Sequence, residues 1–264
     1  MAAILIPAML FVVLGLPKIV TVFFVAFFAA IGAYELLHNT GLVKNFRMIV
    51  YSMVFAFAVP FWSYYGCDHF FEVSGVLVFF ALMFAENMMA DGKIPFQKIC
   101  ICFVAGLIIP YLFSSIARIM AMEKGRNLIL LPFVIAFVSD AGAYFIGVFF
   151  GKHKMAPVIS PKKTWEGFFG GITFSILGTL IYVLIQQLCF GMQVNYLYAV
   201  IYGVIGSLTG VFGDLCFSVM KRQTGIKDYG NIFPGHGGML DRFDSVILVT
   251  PLVESLLLLI PVIV

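Results

Sequence analysis

Residues Val194–Met220 read VNYLYAVIYGVIGSLTGVFGDLCFSVM, with Asp214 as the one charged side chain and no proline. A helix needs roughly 20 predominantly apolar residues to cross a bilayer, and this run is long enough. β-barrel alternation is absent here and elsewhere in the chain, which leaves helices as the spanning structure. Gly203, Gly206, Gly210 and Gly213 recur at spacings of 3, 4 and 3. That rhythm puts them on one helical face, where another backbone can come close. The same face continues from Asp214 to Ser218 and Lys221. A close-packed seam therefore ends in a carboxylate, a hydroxyl and an ammonium. Helix packing needs no Asp, and an acid in a spanning segment is costly, so Asp214 reads as functional rather than as a chance acid on a packing face.

The rest of the chain has the same character. Of 264 residues, 62% are hydrophobic and 11% charged, and mean hydropathy is +1.07. Soluble chains carry about 25% charged residues, so an ordinary soluble domain is excluded. Thirty Phe in apolar runs suit a lipid-facing surface. Apolar segments fall at roughly 2–16, 18–37, 47–66, 70–90, 96–120, 127–150, 165–189, 194–220 and 244–264. The expected fold is all-α: a polytopic membrane bundle of about nine transmembrane helices. The first segment is short enough to lie in the interface, and without a basic n-region it does not read as a cleaved signal peptide. Cys67, Cys100, Cys102, Cys189 and Cys216 form no CxxC and read as small hydrophobes. No internal repeat is evident, which speaks against a transporter.

Twelve of the 16 Lys and Arg fall in the breaks after the second, fourth, sixth and eighth segments. The positive-inside rule then puts those loops, and the N-terminus, in the cytoplasm. The Arg118–Arg126 loop runs the other way but is outvoted. The loop after the sixth segment contains SPKKTWEG, Ser160–Gly167. Ser160 followed by Pro161 predicts a helix start, Ser as N-cap and Pro at the first helical position. Lys162 and Lys163 would then fall in a first helical turn, where cations are unfavourable unless an anion binds beside the free N–H groups. A merely positive-inside flank is the plainer alternative.

Acids in apolar segments are functional candidates. Glu35, Glu86 and Glu254 stand near segment ends or alone and read as structural, so Glu35→Gln and Glu254→Gln are expected to keep near-normal activity. Asp241 and Asp244, three apart at the start of the last segment, share a helical face. They are either helix-terminal acids or, with Asp214, a hard oxygen site for Mg²⁺. Between them and Lys221 lies a polar stretch with Arg222, Lys227, Asp228 and Arg242, and with Gly235, Gly237 and Gly238 around His236. Such glycines let a backbone turn its N–H groups toward a phosphate. His236 contacts a phosphate, moves a proton or stabilises the loop; the sequence does not choose. No Walker or dinucleotide motif occurs. Carboxylates for a cation, bases for phosphates and glycines for close approach point to phosphoryl or nucleotidyl transfer at the membrane surface.

At these residues the sequence resembles the phosphatidate cytidylyltransferase (CDP-diacylglycerol synthase) family. The carrying stretch is SVMKRQTGIKDYGNIFPGHGGMLDRFD, Ser218–Asp244, supported by SDAGAYFIG (Ser139–Gly147), SPKKTWEG and FGDL (Phe212–Leu215). Phe217 departs from the family pattern, which often has an acid before the serine. The resemblance implies conversion of CTP and phosphatidic acid to CDP-diacylglycerol and pyrophosphate with Mg²⁺. It also implies a homodimer and no nucleic-acid partner. Asp214 and Asp241, then Asp244, are the implied cation ligands; a second cation would suit an in-line displacement. Lys162, Lys163, Lys221, Arg222, Lys227 and Arg242 are candidates for phosphate contacts, with Ser160, Ser218, Asp228, His236, Gly237 and Gly238 alongside. Asp140 and Tyr144, one turn apart, would line the site. Residues 1–120 are then N-terminal membrane helices, and 121–264 the catalytic region with cytoplasmic loops 151–164 and 221–243. The expected location is the bacterial cytoplasmic membrane. A CTP-dependent polyprenol or dolichol kinase and an ion-coupled transporter are the competing readings.

Overall fold

The computed structural model describes residues 11–66, 69–232 and 237–263. His236, Gly235, Cys67 and most of the 2–16 segment lie outside them. The chain packs as two compact units, residues 1–123 with 223–242, and residues 124–222 with 243–264.

In the first unit, α1 (Lys18–Tyr34) runs into a π turn at Glu35–Asn39, followed by α2 (Phe46–Tyr65) and α3 (His69–Met89). Then come α4 (Phe96–Phe103), a second π turn at Val104–Ile108, α5 (Ile109–Phe113) and α6 (Ser115–Ala121). Asn45 starts α2 by accepting from the N–H groups of Arg47 (3.0 Å) and Met48 (3.5 Å). Glu86, nearly buried on α3, accepts from Asn45 Nδ2 at 3.4 Å and Tyr51 OH at 3.2 Å. It is a satisfied structural acid.

The second unit holds α7 (Gly125–Leu128), α8 (Leu130–Phe150), β1 (Lys154–Ala156), β2 (Ser160–Thr164) and α9 (Trp165–Phe190). It is completed by α10 (Tyr196–Gln223) and α11 (Leu240–Leu259), which run across the division at their 223 and 240–242 ends. The glycine seam of α10 is used as its spacing predicts. A Cβ at Gly203 would lie 2.7 Å from the Cα of Ile176 on α9, and one at Gly206 2.5 Å from Ile135 on α8. One at Gly213 would lie 2.8 Å from the carbonyl oxygen of Asp244 on α11. Ser139 and Ser207 share a hydrogen bond of 2.7 Å beside this seam. At the other end of α10, Asn195 N donates to Val262 O at 3.0 Å, so α11 runs antiparallel to α10.

Among the described residues, seven helical stretches are long and apolar enough to cross a membrane: Lys18–Asn39, Phe46–Tyr65, His69–Met89, Phe96–Ala121, Gly125–Phe150, Trp165–Phe190 and Tyr196–Gln223. Each falls on an expected segment, and the chain is an integral membrane protein. Of the expected nine, Leu240–Leu259 is a 20-residue helix but carries Asp241, Arg242, Asp244 and Glu254. The 2–16 segment is mostly outside the described residues.

The expected helix start at Ser160 is corrected. Ser160–Thr164 is a strand paired antiparallel with Lys154–Ala156, Lys154 opposite Thr164 and Ala156 opposite Ser160. The helix begins four residues later, where Thr164 Oγ1 accepts from Gly167 N at 3.1 Å. Both Ser160-Pro161 and Thr164 satisfy the local grammar of an N-cap. Pairing with β1 removes the first choice. Lys162 and Lys163 therefore lie on a strand, not in a helix dipole.

Candidate active site

The second unit gathers an acid–base group from four elements. Lys163 on β2 places Nζ 2.8 Å from Asp214 Oδ2 on α10. One turn along the same helix, Ser218 Oγ donates to Asp214 Oδ1 at 3.2 Å. Ser245 on α11 donates through its hydroxyl toward Asp140 Oδ2 of α8 at 2.9 Å and toward Asp244 Oδ1 at 3.4 Å. One hydroxyl proton serves one acceptor at a time, so Ser245 is shared between two carboxylates. Ser245 N also donates to Asp244 Oδ1 at 2.8 Å. Asp214, Lys221 and Asp140 all act electrostatically on Asp244. Three carboxylates and two ammonium groups thus occupy one neighbourhood, with Ser218 and Lys221 nearly buried. The close approach at Gly213 brings the α11 backbone beside Asp214. Exposed Arg222 donates from Nε to Ile159 O at 3.2 Å, between the two strands.

The first unit holds the glycine-rich loop. Asp241 is nearly buried, and its Oδ2 accepts from Tyr229 N at 2.7 Å and Gly238 N at 2.9 Å. It ties the two ends of the loop together. The Gly238 N–H, which the sequence aims at a phosphate, is directed instead to Asp241. A Cβ on Gly238 would lie 2.4 Å from Glu35 Oε1, so the absent side chain makes room for an acid of this chain. Gly237 has a φ of +84°, which favours glycine. Lys227, Asp228 and Arg242 are exposed.

The structure brings the sequence candidates Asp140, Lys163, Asp214, Ser218, Lys221 and Asp244 into one neighbourhood. Ser160 and Lys162 stand on β2, the strand that carries Lys163. Tyr144 is 66% exposed with its ring against Phe145, away from any described contact with the acid group. Sequence reasoning missed Ser245, whose signal was a polar residue directly after Asp244. It missed Thr164, and it read Glu35 as a structural acid without naming its partners Met239 and Leu240. Among the described residues, no three His, Cys, Asp or Glu side chains stand as a ready-made metal-binding set.

Apolar spanning helices and a compact group of carboxylates, ammonium groups and hydroxyls make this a membrane-embedded protein with a polar, charge-paired centre. The chain matches the model of the cytidylyltransferase family over residues 1–260, and it belongs to that family. A protein from Bacillus subtilis named phosphatidate cytidylyltransferase is 32% identical over 234 residues, 87% of this chain and 86% of that one. One of the same name from Staphylococcus epidermidis is 37% identical over 189 residues, 71% and 70% of the two chains. Another from Staphylococcus aureus is 38% identical over 189 residues, with the same coverage of 71% and 70%.

Proposed function

We propose that the protein converts CTP and phosphatidic acid to CDP-diacylglycerol and pyrophosphate, a step of phospholipid biosynthesis. The observation that carries this reading is the grouping of Lys163, Asp214, Ser218, Lys221, Asp244, Ser245 and Asp140 in a chain of the cytidylyltransferase family. The chemistry needs little apparatus. The lipid phosphate is already an anionic nucleophile. Its oxygen bonds to the α-phosphorus of CTP while the bond from that phosphorus to the bridging oxygen breaks, and the electron pair leaves with pyrophosphate. The protein's task is to hold these groups in line and offset charge on the leaving group. Lys163, Lys221 and Arg222 serve the phosphates in this reading, with Lys162, Lys227 and Arg242 as further cations.

Mg²⁺ fits the donor set. It takes one or two carboxylates and completes its shell with water and phosphate oxygens, so a three-ligand cage is not required. Asp214 and Asp244 would hold it, with Asp140 beside them and Asp241, three residues before Asp244, as the remaining sequence candidate. When bound, it supplies charge neutralisation on the triphosphate. A second cation, a homodimer, and a cytoplasmic-membrane location with the basic loops inside are part of the same reading. The last rests on the distribution of Lys and Arg.

The test is purified protein in detergent with labelled CTP, phosphatidic acid and Mg²⁺. The expected products are CDP-diacylglycerol and pyrophosphate. Release of CDP would instead indicate kinase chemistry, and folded, lipid-supplied protein that releases neither sinks both.

A further inference from the structure

We propose that Glu35 is a positioning residue for this transfer: its carboxylate grips the neck of the 229–240 loop and sets the start of α11. The role in catalysis rests on the activity proposed above; the grip itself does not. Glu35 is 0% exposed, in the π turn that ends α1. Its Oε1 accepts from Met239 N at 2.8 Å and its Oε2 from Leu240 N at 2.9 Å. Those are N–H groups at the start of α11, which lack partners within the helix. An Asp or Ser of the local chain ordinarily serves them. Here the nearby acid, Asp241, spends Oδ2 on Tyr229 N and Gly238 N, and a residue more than 200 positions away takes over the helix start.

Two further observations point to the same grip. Asn39, at the other end of the π turn, donates from Nδ2 to Tyr229 O at 2.7 Å. The turn therefore holds both strands of the neck, 229–230 and 238–240. The glycines of the neck are also shaped to Glu35. A Cβ at Gly230 would stand 2.6 Å from Oε1, and one at Gly238 2.4 Å from Oε1 and 2.6 Å from Oε2. Leu240 packs on α1 as well, with Cδ2 3.0 Å from where a Gly32 Cβ would be. A buried carboxylate in a spanning helix is costly, more so than capping one helix requires. π turns recur at functional sites. What this one holds is the segment that carries Lys227, Asp228, Gly237 and Asp241, and α11 continues to Asp244 one turn further on.

The experiment compares wild type with Glu35→Gln, Gly238→Ala and the double variant Gly238→Ala/Glu35→Asp. Glu35→Gln replaces one acceptor with a donor that faces a backbone N–H. The expected result is a fall in kcat of at least about tenfold, the scale of losing one hydrogen bond to a charged group. Amide exchange should quicken in peptides containing Met239 and Leu240 but not in peptides from α8 and α9. Gly238→Ala should lose activity because its methyl meets the Glu35 carboxylate. Shortening that acid to Asp should restore part of it, which ties the loss to the Glu35 carboxylate rather than to backbone strain at position 238. Should Glu35→Gln fail to yield folded protein, Glu35→Asp alone is read in its place. Wild-type kcat in the Glu35 variant, unchanged exchange at the neck, or a double variant no better than Gly238→Ala would each overturn the proposal. If wild type makes no CDP-diacylglycerol, the activity falls instead, and the exchange comparison alone decides the grip.

Discussion

Asp214 and Asp241 are both acids beside the signature, yet their surroundings differ. Asp214 faces Lys163 and Ser218, groups that can also meet a phosphate, whereas Asp241 spends Oδ2 on two backbone N–H groups. Asp214→Asn should therefore lower kcat by about 100-fold, the scale of removing one strong electrostatic stabiliser. Its thermal midpoint in detergent should fall much less than its activity, because the replacing amide is cheap to bury and the Lys163 ammonium left behind is part-exposed to water. Asp241→Asn should lower kcat and also quicken amide exchange at Tyr229 and Gly238, since one of its oxygens is a loop tie. Wild-type kcat in both variants, measured at saturating CTP, would remove the centre of the mechanism. Asp214 was legible in the sequence because it ends a glycine seam. Ser245 was not: its role depends on Asp140, 105 positions away, and no local pattern encodes that meeting. Glu35 was legible as an expensive structural acid but not as a partner of the loop; the near-normal Gln variant expected from the sequence and the loss proposed above are the two outcomes that its kcat separates.

At the scale of elements, the seam on α10 sorts its glycines by what each one meets. A Cβ at Gly213 would press on the backbone oxygen of Asp244 at 2.8 Å, and backbone cannot swing aside. Gly213→Ala should shift α11 against α10 just where Asp214 and Asp244 stand. Overpacking of this kind costs about 1–3 kcal/mol, and the displaced carboxylates should lower kcat by more than stability loss explains. Gly210→Ala would meet only Val249 Cγ2 at 3.3 Å and Ser245 Cβ at 3.7 Å, contacts that side-chain movement can relieve. It should stay near wild type in both kcat and thermal midpoint. Equal behaviour of the two alanine variants would mean that the seam does not set the acid geometry. The strand pair tells the complementary story. Spacing alone located the helices, because a 3.6-residue period and apolar length are local properties. It failed at Ser160-Pro161, because pairing with Lys154–Ala156 is not. Thr164→Ala removes the cap that actually starts α9 and should cost about 1 kcal/mol, read as a lowered thermal midpoint.

The whole molecule adds a direction. The helices lie where apolar runs predicted them, but which side of the membrane receives the basic loops follows from charge, not from packing. Lys152, Lys154, Lys162 and Lys163 surround the strand pair, and Lys221, Arg222, Lys227 and Arg242 flank the glycine loop. Basic residues near span ends are retained on the cytoplasmic side, where CTP is also made available to the site in the proposed reaction. The break between Ala121 and Gly125 falls on the opposite side in this scheme, and its Glu123 is exposed. Single cysteines at positions 162, 227 and 123, in a chain whose five native cysteines are replaced, turn the scheme into a labelling pattern. All three positions are exposed, so burial does not decide the outcome. In intact cells a membrane-impermeant thiol reagent should label position 123 and spare 162 and 227. After permeabilisation all three should react, which shows that the protected pair was hidden by the membrane rather than by the fold. Labelling of 162 and 227 in intact cells, with 123 spared, would invert the topology and place the basic loops on the side away from cytoplasmic CTP.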